Sequence, residues 1–448
     1  MPGERISGGI ALKKLAKSRL SKFWLFSVSC EKGFTTEAQS SQRSENFLLK
    51  NSFLRALRAS AVQTPSPCTE MALARLATQK PEEPKFLRGI GTFAFCLLLG
   101  GCEQVPQLYL PQPQPQIVFD QSPIASVELS APVRISRNAD DDEDPSVVLA
   151  RDGRFYVAWS SKQRGRVDLY ISSSVDGRAW TEGRRITDGP AENYNPAMIQ
   201  TRDGVFHLVW CQLQRKEGRT DVWYMRSRDG RQWDKPMSIT NRGVDWAPAL
   251  YEDTRGELRI LWSSRRTRNR EIWVTRSADG GKNWLAAVQL TRSPEEDDFP
   301  HALQTPDGEH HLVWTRYRRG SAMLELHKDR TSDVVLATSR DGVTWSEPVV
   351  ASFADPENKH IDILPCVFQD HNKRQVYLSW TSSRTGSRGD ILVRNISTPS
   401  SHVFQLTTAE GSDYSAKIVP TRQPGEYLMV WVSTREGKAD IFARRFKL

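Results

Sequence analysis

A tryptophan recurs at nearly constant intervals through the C-terminal two-thirds of the chain. The six copies are Trp159, Trp210, Trp262, Trp314, Trp380 and Trp431. Each copy stands at the same place in a unit of similar sequence, and the units start at Pro145, Pro196, Pro248, Pro300, Pro365 and Ala416. Successive starts are 51, 52, 52, 65 and 51 residues apart. A repeat of this length is one supersecondary unit that cannot bury its apolar faces alone, so the units must pack against one another.

Each unit contains four short apolar runs separated by turn residues, and none shows the 3.6-residue period of a helix. The pairs Asp152-Gly153, Asp203-Gly204 and Asp307-Gly308 are suited to close the first hairpin of their units. Four-strand units of this length are typical of the blades of a β-propeller. The sequence therefore predicts an all-β fold, a six-bladed propeller with four-stranded blades that spans residues 133–448.

The two ends of the repeat region complement each other. The last unit stops at Leu448 after its third strand, whereas residues 131–136 precede the first unit and match the fourth strand of the other units. We therefore expect this N-terminal strand to complete the sixth blade. Such a closure removes the exposed sheet edges that would otherwise invite aggregation.

A turn in the third unit carries a family motif. Ser277–Trp284 reads SADGGKNW, which resembles the Asp box of sialidases, S-x-D-x-G-x-x-W, and variants one residue shorter stand at Ser174–Trp180, Ser227–Trp233 and Ser339–Trp345. The aspartate can accept hydrogen bonds from turn amides, glycine permits positive φ, and tryptophan packs the hairpin down. In that family the boxes lie on the outer rim, so the resemblance implies a sialidase-like propeller but not catalysis. A weaker resemblance is to TolB-type propeller repeats.

The region before the repeats has the features of an export signal. Residues 85–102 read KFLRGIGTFAFCLLLGGC, in which two cationic residues precede a 13-residue apolar run that is too short to span a bilayer. Leu99–Cys102 resembles the lipobox of bacterial lipoproteins, where the cysteine is diacylated and becomes the N-terminus. The alternative is a buried helix with a chance cysteine.

These features predict the organisation of the N-terminal third. Residues 1–70 are an extension outside the fold, Met71 is the start, and residues 71–101 are a signal peptide that ends before a lipidated Cys102. Residues 102–132 form a Pro/Gln-rich tether of extended chain. The expected location is the bacterial cell envelope, and the outer membrane is favoured because Glu103, not Asp, follows the cysteine.

The net charge of +9 does not indicate a nucleic-acid partner. Residues 1–70 hold 11 Lys/Arg against 5 Asp/Glu, and residues 71–101 hold 4 against 2, which leaves 47 against 46 for residues 102–448. The basic excess therefore lies outside the predicted fold. Of six cysteines, only Cys211 and Cys366 fall within the repeats, in blades that are not neighbours, so no disulfide is expected between them. No metal-type spacing or phosphate loop occurs, and we expect a monomer without metal or cofactor.

Two sets of charged residues repeat in every blade, near the face where propellers usually bind ligands. The first set precedes each unit start by three residues and consists of Asp142, Asn193, Asp245, Asp297, Asp362 and Asp413. The second follows each repeated tryptophan and consists of Arg164, Arg215, Arg266, Arg318, Arg384 and Arg435. Because sixfold repetition suggests a task performed in every blade, a structural role is favoured over a ligand site.

A ligand site should instead break the sixfold symmetry, and two longer loops do so around the fourth blade. They bring together Arg318, Arg319, Glu325, His327, Lys328, His360 and Asp362, with His301 nearby. Long loops on a rigid scaffold favour binding or catalysis, although a solvated insertion is an equal alternative.

The sialidase resemblance stops at the catalytic residues. Family members bind the substrate carboxylate with three arginines and use a Tyr nucleophile paired with Glu, together with an Asp acid/base. The first family arginine stands two residues before the proline at a blade start, but here that position holds Glu143, Tyr194, Trp246, Asp298 and Ile363. Tyr194, Tyr317 and Tyr414 stand on suitable loops. Asp298 with Asp362 would be a carboxylate pair for another glycosidase, although nothing in their spacing selects them.

Three functions remain open. The preferred one is a lipid-anchored, non-catalytic propeller that binds a glycan or an envelope protein. The second is an exo-sialidase or related glycoside hydrolase with a divergent site. The third is a TolB-like module that assembles with an envelope partner.

Overall fold

The computed structural model describes Phe119 and residues 124–137, 140–318, 331–353, 359–370, 374–386, 389–398, 400–408 and 410–448. The predictions for residues 1–118, including the lipobox and most of the tether, lie outside these residues. No helix within them is long and apolar enough to cross a membrane.

The described residues form 25 strands. In chain order these are β1 (Ile124–Ala125), β2 (Val133–Arg134), β3 (Asp142–Leu149), β4 (Phe155–Gln163), β5 (Arg166–Ser174), β6 (Arg184–Arg185), β7 (Glu192–Gln200), β8 (Phe206–Gln214), β9 (Arg219–Ser227), β10 (Met237–Ser238), β11 (Asp245–Glu252), β12 (Leu258–Ser264), β13 (Glu271–Ser277), β14 (Val288–Gln289), β15 (Glu296–Gln304), β16 (His310–Tyr317), β17 (Ser332–Ser339), β18 (Val349–Val350), β19 (Asp362–Asp370), β20 (Gln375–Ser382), β21 (Asp390–Asn395), β22 (Val403–Gln405), β23 (Asp413–Pro420), β24 (Glu426–Ser433) and β25 (Asp440–Lys447).

The strands form six sheets, the blades of a propeller, as the repeats predict. Blades one to five are β3–β6, β7–β10, β11–β14, β15–β18 and β19–β22, each an antiparallel sheet with its first strand innermost. Blade six combines β23, β24 and β25 with β2, whose Val133 and Arg134 pair with Ala443 and Phe442. The predicted closure by an N-terminal strand is thus confirmed. One strand was not predicted: β1 adds to the outer edge of blade five, parallel to β22.

The repeated tryptophans hold neighbouring blades together. All six are at most 1% exposed and rank among the largest fully buried side chains. Trp159 of blade one, for example, packs with Leu428 and Val430 of blade six, and Trp210 of blade two packs with Leu169 and Ile171 of blade one. Buried aromatic rings carry much of the apolar area of a core, so the repeat period reflects the contacts between blades.

Each innermost strand has a bulge at the same point. The residue before each unit start adopts a φ between 49° and 56°, and these residues are Asp144, Asn195, Ala247, Phe299, Leu364 and Ser415. In three blades a hydroxyl of the preceding blade accepts the N–H of the bulged residue, with distances of 3.1 Å (Phe299 to Ser263), 3.1 Å (Leu364 to Thr315) and 3.3 Å (Ser415 to Thr381). A bulge changes the direction of the side chains on either side of it.

The Asp boxes close the hairpins between the third and fourth strands, and they act as turns. Asp279 accepts the backbone N–H groups of Lys282 at 3.0 Å and Asn283 at 2.9 Å, and these bonds hold the pKa of its carboxyl well below the usual range. Gly281 has a φ of +81°, and a Cβ there would collide with the Tyr224 hydroxyl of blade two. The motif therefore fixes the edge of the blade, away from the axis.

Candidate functional site

In four blades the repeated acidic or amide residue accepts a hydrogen bond from the repeated tryptophan. The side-chain oxygen accepts the indole N–H at 3.2 Å for Asp142 and Trp159, 2.8 Å for Asn193 and Trp210, 3.1 Å for Asp362 and Trp380, and 3.0 Å for Asp413 and Trp431. These oxygens satisfy donors that would otherwise be buried unpaired. The structural interpretation of this set is therefore the right one for these four blades.

Five of the six repeated arginines have a carboxylate partner. The N–O distances are 2.6 Å for Arg266 and Asp245, 2.5 Å for Arg215 and Glu192, 3.5 Å for Arg384 and Asp362, and 3.2 Å for Arg435 and Asp413; Arg318 pairs with Asp333. The sixth, Arg164, is exposed and bonds Asp140 through its backbone N–H. An arginine already neutralised by a carboxylate offers little attraction to an anionic ligand.

Half of the residues that were predicted to converge around the fourth blade lie outside the described part of the chain, so that convergence stays a prediction. Arg319, Glu325, His327 and Lys328 lie outside the described residues, as does most of that loop. Arg318 is bound to Asp333, Asp362 is buried beneath Trp380, and His301 lies on the innermost strand of its blade. Asp298 and Asp362, suggested as a carboxylate pair, each have another partner: Asp298 pairs with Arg270, and Asp362 accepts the indole N–H of Trp380.

The symmetry is broken instead around the axis, at the residue two positions before each unit start. This ring, which we call the axial mouth, consists of Glu143, Tyr194, Trp246, Asp298, Ile363 and Tyr414. Each is the second or third residue of the innermost strand of its blade and lies just before the bulge. The equivalent positions of a propeller surround its axis, where its loops commonly form a binding site.

Tyr414 and Glu143 join blade six to blade one. The Tyr414 hydroxyl donates to Glu143 Oε1 at 3.2 Å. Burial, with the nearby carboxylates of Asp144 and Asp141, raises the pKa of Glu143 to about 8, and burial together with Glu143 raises the pKa of Tyr414. At neutral pH Glu143 therefore carries a proton that it can donate in a hydrogen bond or to a leaving group.

A second tyrosine–glutamate pair lies on blade two. The Tyr194 hydroxyl donates to Glu192, whose other oxygen accepts from Arg215 at 2.5 Å. Burial and the Glu192 carboxylate raise the pKa of Tyr194, so its hydroxyl keeps its proton. The pair fixes the direction of a half-buried phenol at the mouth.

Trp246 of blade three contacts residues of both blade three and blade four. Trp246 donates its indole N–H to Asp298 at 3.0 Å, and Arg270 both bonds Asp298 at 2.6 Å and lies over the Trp246 ring, 4.9 Å from its centroid. Asp298 and Arg270 are buried, whereas Trp246 is half-buried. The tryptophan ring is therefore an oriented and partly open surface.

Tyr194, Asp298 and Tyr414 were site candidates from the sequence alone. Glu143 and Trp246 were noted only as departures from the sialidase arginine, and Glu192 and Arg270 were missed. Arg270 stands just before the third strand, where the other blades have Val167, Thr220, Ser332, Gly389 and Ala439. That break in the repeat was visible in the sequence. The partner of Arg270 could not be read from the sequence, because Asp298 belongs to another blade.

Comparison with solved structures supports the fold. A protein of unknown function from Dyadobacter fermentans matches 72% of this chain and 100% of its own, with a TM-score of 0.60 and 16% identity. The GH93 α-L-arabinofuranosidase of Fusarium graminearum, solved with arabinobiose, matches 71% and 98%, with a TM-score of 0.57 and 16% identity. The Hadza microbial sialidase Hz136 matches 69% and 66%, with a TM-score of 0.53 and 17% identity. No protein-family model and no curated protein matches the sequence. The chain thus has the sialidase-like propeller fold, and identities this low show the fold alone.

Proposed function

We propose that this chain is a glycan-binding propeller of a lipid-anchored envelope protein, and that its axial mouth takes a neutral sugar. The observation that carries the proposal is the neutralisation of the two arginines beside Tyr194 and Trp246. Arg215 and Arg270 are each bound to a carboxylate, and Arg270 is buried as well. An anionic sugar would have to displace these carboxylates, whereas a hydroxyl-rich neutral sugar would not.

The remaining groups of the mouth suit such a ligand. Trp246 offers a ring against which the C–H face of a sugar can stack, while Tyr194, Tyr414 and protonated Glu143 offer polar hydrogens and oxygens to its hydroxyl groups. A small number of placed polar groups beside aromatic surface is the usual composition of a ligand site. The neutral disaccharide in the fungal arabinofuranosidase shows that a propeller of this shape can take such a sugar.

A glycan array probed with the purified protein and its Trp246→Ala variant tests the proposal. We expect wild-type protein to bind neutral glycans, and the variant to lose at least about tenfold in affinity because a buried tryptophan anchor contributes about 2 kcal/mol or more. Trp233→Ala is the matched control, since Trp233 belongs to an Asp box. Failure to bind any glycan, or binding of sialylated glycans alone, would contradict the proposal. Specific capture of an envelope protein without glycan binding would favour the assembly module.

A second candidate, a glycoside hydrolase, is favoured by one observation. Tyr414 contacts Glu143, and a carboxyl with a pKa of about 8 is suited to protonate a leaving group at neutral pH. A Tyr–Glu pair also resembles the nucleophile pair of sialidases, although the arginine clamp is replaced. Fluorogenic arabinofuranosides and sialosides test this candidate: turnover that Glu143→Gln abolishes and Trp233→Ala preserves would establish an enzyme, and its absence would leave the binding module.

A further inference from the structure

A cleft of about 410 Å³ lies between the outer strand of blade one, β6, and the neighbouring part of blade two. This volume is within the usual range of small-molecule sites. Asn193 and Trp210 lie at its floor and are at most 1% exposed. Four exposed cationic side chains also line the cleft: Arg184, Arg185, Arg231 and Lys235. The cleft is therefore recessed and rich in positive charge.

Two of these cations depart from the repeat. Arg184 pairs with Ile171 in the outer strand of blade one. The equivalent residues of the other five blades are apolar: Met237, Val288, Val349, Phe404 and Val133. Lys235 stands two residues after the tryptophan of its Asp box, and the equivalent residues of the other boxes are Glu182, Ala286 and Glu347. Both changes raise the positive charge of this one cleft.

The floor of the cleft departs from the repeat in the same sense. Asn193 stands where the other five blades have a buried aspartate: Asp142, Asp245, Asp297, Asp362 and Asp413. Its side-chain oxygen still accepts the Trp210 indole N–H at 2.8 Å, so the structural contact is kept without the negative charge. Three departures from the sixfold repeat thus meet at one place, and a cleft lined by one sign of charge attracts ligands of the opposite sign.

The arginines of blade one keep their charge. The Arg184 guanidinium donates to the backbone oxygen of Gly230 in blade two at 3.0 Å, a contact that positions it without neutralising it. Arg185 lies 3.6 Å from Asp168, but that carboxylate already accepts from two nitrogens of Arg166, at 2.8 Å and 2.5 Å. Both guanidinium groups can therefore still bind an anion.

The cations of blade two are also open to a ligand. The side chains of Arg231 and Lys235 form no hydrogen bond or ion pair with a described residue. Two carboxylates line the same cleft, of which Asp234 is bound by Arg226 at 2.8 Å. Asp188 is thus the one carboxylate of this lining without an ion-pair partner among the described residues, and the lining carries a net positive charge that a dianion would balance.

We propose that this cleft binds a small soluble phosphate monoester, with the phosphate group held by the cations of both blades. Guanidinium groups bind phosphate through paired N–H···O bonds, and a lysine adds a point charge. A phosphate monoester carries about −1.5 to −2 charge at neutral pH, so it gains more from four cations than a single carboxylate does. The apolar side chains of Ile186, Met225 and Pro236 line the same cleft and can contact the carbon skeleton of the ester. Because the floor is recessed, a soluble ligand reaches it better than a phosphate in the plane of a membrane.

Titration calorimetry of the full-length protein with phenyl phosphate, at neutral pH and low salt, tests the proposal. We expect binding, and an affinity at least about fivefold weaker for phenyl sulfate, a monoanion of similar shape. No binding of phenyl phosphate, or equal affinity for the two esters, would overturn the proposal. Inorganic phosphate that binds as tightly as the ester would show a site for the ion alone. Binding to phosphatidic acid vesicles that Lys235→Glu abolishes, without binding of phenyl phosphate, would assign the cleft to a lipid headgroup instead.

Two variants that copy other blades locate the binding. Arg184→Met and Lys235→Glu introduce residue types that the repeat already accepts, and each should weaken phenyl phosphate binding at least about tenfold. Lys282→Glu makes the same charge change in the Asp box of blade three and should stay within about twofold of wild type. An equal loss in Lys282→Glu would show a general effect of charge and overturn the site. If Arg184→Met does not fold, Lys235→Glu at the exposed rim decides. None of these titrations uses a neutral glycan, so the two proposals fail separately.

Discussion

Replacing Asp413 tests whether the repeated acidic residue is structural. Asp413 is 1% exposed; it accepts the Trp431 indole N–H at 3.0 Å and lies 3.2 Å from an Arg435 nitrogen. Asp413→Ala leaves both donors without their acceptor. An unsatisfied buried donor costs about 1–3 kcal/mol, and breaking a largely buried ion pair by removing one partner costs about 3–5 kcal/mol. Since Arg435 is partly exposed and keeps the Ser433 hydroxyl, we expect a total near 3–4 kcal/mol.

Blade two supplies a natural control for this prediction. Asn193 occupies the equivalent position and accepts from Trp210 at 2.8 Å, so a neutral amide can do the work of the carboxylate for the tryptophan. Asp413→Asn should therefore cost only about 1–2 kcal/mol, because it removes the negative charge that pairs with Arg435 but keeps an acceptor for the indole. Asp188→Ala, at an exposed position, should stay within about 0.5 kcal/mol of wild type.

Urea unfolding followed by tryptophan fluorescence measures these differences as midpoint shifts at a constant slope. If the indole bond stabilises the fold, the loss of stability should be largest for Asp413→Ala, smaller for Asp413→Asn and smallest for Asp188→Ala. Equal losses for Ala and Asn, or a loss below about 1 kcal/mol for Ala, would refute it, because the indole bond would then not be a stabilising contact.

Three further predictions concern other parts of the molecule. Burial lowers the pKa of His207 from 6.5 to about 4 in the folded protein. As the pH falls below 6.5, the unfolded chain therefore binds the proton first, and the free energy of unfolding should fall by up to about 3 kcal/mol between pH 6.5 and pH 4. His207→Gln should reduce this pH dependence, as measured by urea unfolding at several pH values. Val133→Pro should break the pairing of β2 with β25 and speed amide hydrogen exchange in β25, whereas Ala131→Pro, at an exposed position outside the strand, should not. Cys102→Ala should move the protein from membranes to the soluble fraction, and retention on membranes would contradict the lipid anchor.

The ring architecture could be predicted because each unit repeats the same physical task. Trp159 and its five counterparts fill the same space between blades, and residues 131–136 had to pair with the incomplete last unit. The Asp boxes were also readable, since Asp279 and Gly281 perform a local turn function that spacing alone specifies. Repetition made these features visible, and the structure confirms them.

The candidate site could not be assembled in the same way. The partners Tyr414 and Glu143 are 271 residues apart, and Asp298 meets Trp246 and Arg270 from a different blade. Loop length pointed instead to the region where blades four and five meet, in which Arg318 forms an ion pair with Asp333 and Asp362 accepts the indole N–H of Trp380. The proline at the start of most units marks the position of each bulge, but the repeat does not show which side chains of neighbouring blades meet there.

The most direct test of the neutral mouth is the change in affinity when a bound glycan gains a negative charge. Titration calorimetry with a galactose-terminated glycan and its α2,3-sialylated counterpart measures that change. Because Arg215 and Arg270 are already neutralised, we expect sialylation to leave the affinity unchanged or to weaken it. An increase of about tenfold or more, equivalent to about 1.4 kcal/mol, would show that guanidinium groups are available there and would contradict it.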